Sequence, residues 1–231
     1  MTPLLEARAL ACGYAGVKIV RDLDLRVHAG EVVALLGANG VGKTTTLLTL
    51  VGELDPLEGE VRRRGEPIGS PLHVRARAGL SYVPEERSVF SKLTTRQNLL
   101  VAGADPARAT ALFPELEPLM DRRGGLLSGG EQQMLTVARA LARDSDLLIT
   151  DELSLGLAPK AVGRLLRAIR AAADDGVGAL LVEQHVHRVL EVADRVYLLH
   201  RGEIVFQGTA EDARANLEEI RDRYLTATAG A

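Results

Sequence analysis

Residues 37–44 read Gly-Ala-Asn-Gly-Val-Gly-Lys-Thr, a glycine-spaced loop that ends in a cation and a hydroxyl. Gly37, Gly40 and Gly42 let backbone N–H groups turn inward onto phosphate oxygens. A helix that starts directly after the loop adds its positive N-terminal end. Lys43 sets a point charge between the β- and γ-phosphates, and Thr44 offers a hydroxyl to Mg²⁺. Asn39 in the loop and Thr45 in the first helical turn complete this candidate phosphate-binding set. A second constellation is Leu147-Leu-Ile-Thr-Asp-Glu152. An apolar strand carries Asp151 to a sheet edge, where it can hold Mg²⁺ through water, and Glu152 can polarise an attacking water. An Asp-Glu pair that merely caps a strand would look the same in isolation. Beside a phosphate loop, the catalytic reading is preferred.

Elements must bring these groups together. Glu31 to Leu36 is a near-continuous apolar run, as a strand covered on both faces requires. The loop follows it, and Lys43 to Leu54 reads as a helix. Leu147 to Thr150 and Ala179 to Val182 are further buried strands, and Leu80 to Val83 is a short one ended by Pro84. Between them the spacing predicts helices at Glu131 to Arg143, Ala161 to Ala173 and Val186 to Val192. Before the first buried run, Leu23, Leu25 and Val27 alternate with polar residues, as in a half-buried strand, and Gly59 to Gly65 reads as a hairpin arm. Val196 to Leu199 and Ile204 to Gln207 form a second hairpin, and a charged helix runs from Ala210 to about Leu225. Buried strands alternating with helices imply an α/β fold with a mainly parallel sheet. A proline-interrupted helical stretch at 85–140, with helices at Asn98 to Ala104 and Ala107 to Met120, reads as a subdomain inserted between buried strands.

Composition narrows the function. The 231 residues carry 28 Lys and Arg against 31 Asp and Glu, so a basic surface for nucleic acid is not expected. Aromatic residues are 3% with no Trp, which argues against base-stacking platforms. Cys12 is the lone cysteine, so an internal disulfide is ruled out and a reducing compartment is expected. The N-terminal stretch has no basic start and carries Glu6 and Arg8, so it is not read as a secretory signal. No apolar run approaches the length of a membrane span.

Leu127-Ser-Gly-Gly-Glu-Gln-Gln133 precedes the helix that leads to Asp151. After a P-loop, and 18 residues before that acid, it resembles the signature motif of ABC-type ATPases. The resemblance runs from Tyr14 to about Gly208. It implies a P-loop NTPase fold with a mainly parallel central sheet, an antiparallel β subdomain and an inserted α-helical subdomain, all one ABC ATPase domain over 1–231. It also implies ATP and Mg²⁺ as ligands. Two cassettes would pair head to tail, each nucleotide lying between one P-loop and the other chain's Ser128, Gly129 and Gly130. Tyr14 would stack on adenine; a core tyrosine is the structural alternative. Transmembrane permease subunits would be partners, with an extracytoplasmic solute-binding protein acting indirectly. The chain would then be peripheral on the cytoplasmic face of the cell membrane.

Within the family the sequence looks most like the smaller ATPase of branched-chain amino-acid uptake systems. The residues that carry this are Tyr82-Val-Pro-Glu-Glu-Arg-Ser-Val-Phe90, Ser128-Gly-Gly-Glu-Gln-Gln-Met-Leu135, Gly156-Leu-Ala-Pro159 and Val182-Glu-Gln184. Glu85 replaces the usual Gln, as a further Mg²⁺ ligand, and Ala158 replaces the usual Asp. Both look like that subfamily. Leu153 stands where proline usually follows the Asp-Glu pair, which predicts a looser turn with its carboxylates still in place. Glu86 departs from the subfamily's usual Gly. The family pattern sets a γ-phosphate switch His ten residues before the Asp of Ala193-Asp194-Arg195. That register gives Gln184, a hydrogen-bond donor that takes up no proton at neutral pH; His185, one residue later, is the alternative. An importer ATPase is the reading preferred. A soluble ABC ATPase on nucleic acid or ribosomes lacks the second cassette or coiled coil expected of it. A small-molecule kinase leaves the signature motif without a role.

Overall fold

A strand covered on both faces must be apolar on both faces, and β3 (Val32–Leu36) is buried at all five positions. Val33 and Leu35 face one core cluster, while Val32, Ala34 and Leu36 face another. The computed structural model describes residues 2–69, 71–86, 88–184 and 186–220. In it β3 lies inside a six-stranded sheet with β6 (Leu80–Val83), β7 (Leu147–Asp151), β8 (Gly178–Glu183), β9 (Arg195–His200) and β10 (Glu203–Thr209). The order is β10-β9-β3-β8-β7-β6, parallel throughout except for the β9–β10 hairpin. A separate antiparallel sheet joins β1 (Leu5–Tyr14), β2 (Val17–Val27), β4 (Glu58–Arg63) and β5 (Glu66–Pro67) in the order β2-β1-β4-β5. Its inward residues Leu10, Val20, Leu23 and Leu25 pack with α1 (Lys43–Val51) on one face of the parallel sheet. The other face is covered by α5 (Gly129–Leu141) and α6 (Pro159–Asp174). This is the α/β architecture expected, with its mainly parallel sheet and antiparallel companion.

Between β6 and β7 the chain is helical. α3 (Thr95–Val101) opens with a capping box, in which the Thr94 hydroxyl accepts from Gln97 N–H and the Gln97 side chain accepts from Thr94 N–H. α4 (Pro106–Leu112) is capped by Asp105. The expected helix to Met120 ends instead at Leu112, and Pro114–Leu119 is a 3₁₀ helix. Pro114 and Pro118 each lack an N–H, so an α-helical ladder cannot run through them. α2 (Leu72–Arg77) was not expected; it is short and its N-terminal flank, Pro71, offers no side-chain cap. α7 (Val186–Val189) stops earlier than the spacing suggested. The closing helix is broken. α8 (Ala210–Ala215) ends where the Asn216 side chain donates to the Asp212 carbonyl, and α9 (Leu217–Ile220) follows; the rest of that expected helix lies outside the described residues.

Candidate active site

All five parallel strands end at one sheet edge, the edge where open α/β sheets bind ligands. Leu36 sits opposite Glu183, and Asp151 opposite Val182. The loops that leave β3, β6, β7 and β8 therefore bring Gly37 to Thr44, Glu85, Asp151 with Glu152, and Gln184 to the same edge.

Backbone crowding explains the glycines in the first of these loops. A Cβ on Gly37 would lie 2.5 Å from the Leu199 carbonyl oxygen, and one on Gly42 would strike the Val20 side chain at a φ of 108°. Asn39 and Gly40 stay exposed at the loop's crest. The threonines after Lys43 are tolerated because their hydroxyls bond back along the helix: Thr46 Oγ1 donates to Gly42 O at 2.9 Å and Thr49 Oγ1 to Thr45 O at 3.0 Å. Thr44 remains exposed, while Thr45 is buried.

Lys43 is curled into its own loop. Its Nζ donates to Gly37 O at 2.9 Å and Ala38 O at 3.1 Å, and it stands 3.3 Å from Glu152 Oε1. The Lys43 side chain is 4% exposed and the Glu152 side chain 14%, so each charge offsets the desolvation of the other. Glu152 holds a left-handed backbone at φ 43°, unusual for a residue with a side chain.

Asp151 is buried, and its Oδ1 makes no hydrogen bond. Burial, the Glu152 carboxylate and the Glu85 carboxylate push it up to about 6, against the opposing pull of Thr44 and Lys43. A crowded carboxylate with one unpartnered oxygen, beside the Thr44 hydroxyl, is a fitting place for a divalent cation. Among the described residues no cluster of three acids, histidines or cysteines is arranged to hold a metal alone. A small hard cation bound mainly by water and phosphate oxygens needs only a few protein ligands.

Tyr14 is half exposed at the tip of the β1–β2 hairpin, not in the core, so its ring is free to meet a planar ligand. Ser128 caps α5: its Oγ accepts from Glu131 N–H, and Glu131 Oε2 accepts from Ser128 N–H at 2.6 Å. Gly129 and Gly130 therefore form the first helical turn, earlier than expected, where N–H groups have no partner within the helix. Gln184 is half-buried just past β8, and His185 lies outside the described residues.

The turn after Glu152 is not loose. Leu153 is 3% exposed, packed into the core. The Glu152 N–H donates to Val182 O at 2.9 Å and the Leu155 N–H to Glu152 O at 3.2 Å. Bonds from the Ser154 N–H and hydroxyl to the Glu183 carboxylate complete it, and motif spacing alone assigns Glu183 no role. Its signal was present in the sequence: an acid that ends an apolar strand. Burial foremost pushes the Glu183 carboxyl up to about 7, with the Glu152 charge adding and the Ser154 donors opposing.

Comparison with known proteins agrees with this geometry. The ABC transporter family profile matches residues 20–154. The high-affinity branched-chain amino acid transport ATP-binding protein BraG of Pseudomonas aeruginosa is 39% identical over 92% of this chain and 95% of its own length. The lipopolysaccharide export system ATP-binding protein LptB of Escherichia coli is 36% identical, over 96% of each chain. A solved ATP-binding subunit of an ABC transporter superposes with a TM-score of 0.79 at 29% identity, over 93% of each chain. A loop built to cradle phosphates, an acidic pair on the adjoining strand and whole-length kinship of this kind lead to one conclusion: the chain belongs to the ABC transporter ATP-binding family and is an ABC-type ATPase.

Proposed function

We propose that the chain is the ATP-hydrolysing subunit of an importer that takes up branched-chain amino acids or related small amino acids and amides. The observation that carries the catalytic reading is the Lys43–Glu152 pair at the C-terminal edge of the parallel sheet. Phosphate oxygens compete with Glu152 for the Lys43 ammonium. ATP arrival thereby frees the carboxylate at the moment a γ-phosphate is present. Glu152 then accepts the proton of the attacking water, and Gln184 donates an amide hydrogen to a γ-phosphate oxygen. Gly37, Asn39, Gly40, Gly42 and Thr45 line the phosphate path, and Tyr14 stacks on adenine. Thr44, Asp151 and Glu85 would hold Mg²⁺, which when bound neutralises charge on the phosphate oxygens. Ser128, Gly129 and Gly130 serve the nucleotide of a second ATPase chain paired head to tail.

Among the described residues no helix is long and apolar enough to cross a membrane. The work of closure is therefore passed to separate permease subunits at the cytoplasmic face, with a solute-binding protein acting beyond them. Glu85 and Ala158, together with kinship to BraG, support amino-acid cargo. Kinship to LptB supports a second reading, lipopolysaccharide export. The test is to purify the chain with its native membrane partners and reconstitute them in vesicles. Leucine-loaded binding protein that accelerates ATP hydrolysis and drives leucine uptake is the expected result. Acceleration by lipopolysaccharide alone would replace importer with exporter, and co-purification with ribosomes or nucleic acid would overturn both.

A further inference from the structure

Ser154 follows the catalytic acids by two residues, and both of its donors end on one carboxylate. Its N–H donates to Glu183 Oε1 at 3.1 Å and its hydroxyl to Glu183 Oε2 at 2.7 Å. Glu183 is the last residue of β8 and is 2% exposed. One strand position earlier, Val182 O accepts the Glu152 N–H. The turn that carries Glu152 is thus fastened to two successive residues of β8, and the next residue in the chain is Gln184. The rest of that strand is Gly, Ala, Leu, Leu and Val, so packing alone asks for no acid at its end. The acid is kept although burial and the neighbouring Glu152 charge both oppose its ionisation. A left-handed Glu152 also needs neighbours that over-determine it.

We propose that Glu183 is a positioning residue for hydrolysis: by clasping Ser154 it holds the Glu152 turn and the Gln184 strand end in one fixed relation. This rests on the reading of Glu152 as base and Gln184 as phosphate contact. An ionised carboxylate only accepts, so both Ser154 donors have a single arrangement, which an amide that can flip does not impose. Lys43 is held by the loop after β3 and Tyr14 by the β1–β2 hairpin, so these nucleotide contacts lie outside the clasp, which reaches the phosphates only through Gln184. Loss of the clasp therefore acts on turnover and spares affinity.

The experiment compares Ser154→Ala, Glu183→Ala, the double variant and the conservative Ser154→Thr in the assembled transporter, with Glu152→Gln beside them. ATP turnover is read there, and affinity is read on the full chain with a fluorescent ATP analogue. Each single loss is expected to lower kcat about tenfold or more while affinity stays within about twofold. Ser154→Ala removes the hydroxyl bond and leaves the N–H bond, while Glu183→Ala removes both, so the double variant is expected to lose no more than Glu183→Ala alone. Ser154→Thr keeps both donors and is expected within about threefold of the parent. Normal kcat in both single variants beside a dead Glu152→Gln overturns the clasp alone. Losses that add in the double variant, or that fall equally on affinity, make the contact merely structural and also overturn it. An active Glu152→Gln overturns the base assignment beneath it, so the two failures are told apart.

Discussion

Glu183→Gln should make the protein more stable in alkaline solution and leave it unchanged in acid. The folded protein raises this carboxyl from its ordinary 4.5 to about 7, so it holds the proton more tightly than the unfolded chain does. The group's favourable contribution is complete below 4.5, declines as pH climbs between the two values, and is gone above about 7. A tenfold change in proton affinity is worth about 1.4 kcal/mol, so the ionised Glu183 destabilises the fold by about 3 kcal/mol relative to its neutral form. The residue is almost wholly buried, so solvent screening takes little from this figure. Gln cannot ionise, has nearly the same shape and still offers Ser154 an acceptor. For a chain of this size, that difference corresponds to a rise of roughly 6–12 °C in Tm at alkaline pH. Thermal unfolding of the full chain and the variant at about pH 5 and about pH 8 measures it, and the change in their difference isolates Glu183 from every other titrating group. Parallel curves, with one constant offset at both pH values, would refute the argument. So would a variant less stable than the parent at the higher pH.

Lys43→Ala should lower ATP turnover by about a hundredfold or more, since it removes the buried cation that waits for the phosphates; steady-state hydrolysis checks it, and parental rates would refute it. Glu152→Gln should bind ATP, hydrolyse about a hundredfold or more slowly and accumulate a closed pair of cassettes, read by size-exclusion chromatography with ATP and Mg²⁺ alongside hydrolysis by the assembled transporter. Gln184→Ala should impair turnover far more than His185→Ala, and a near-dead His185→Ala beside an active Gln184→Ala would move the phosphate contact to the histidine. Asn98→Ala should destabilise the fold by about 2–4 kcal/mol in urea unfolding, because one buried amide accepts from Phe90 N–H and donates to the carbonyls of Phe90, Leu93 and Thr94.

What could be read in the sequence was whatever the chain encodes locally. Gly37 to Thr44 is one continuous segment, so its residue types alone point to a phosphate cradle, and Asp151 is announced by the apolar strand that ends on it. The two-faced burial of β3 likewise shows in five consecutive apolar residues. Helix boundaries were blurred where weak local rules competed. Apolar spacing runs on through Pro114 and Pro118, but the missing N–H groups convert that stretch to 3₁₀ geometry. The apolar spacing places a helix start at Glu131, yet the Ser128–Glu131 capping box starts α5 on Gly129. Long-range partners were illegible. Ser154 and Glu183 are 29 residues apart, and nothing in either neighbourhood specifies the other. The missing proline shows the same limit from the opposite side. A proline at 153 would push Glu152 away from helical backbone regions, whereas Leu153 leaves it free to take φ 43° and turn its carboxylate toward Lys43. Sequence alone marks that position as a lost constraint. The fold replaces the constraint with a buried leucine and with hydrogen bonds to Val182 and Glu183, so Glu152 is held by the strand beside it and not by its own backbone chemistry.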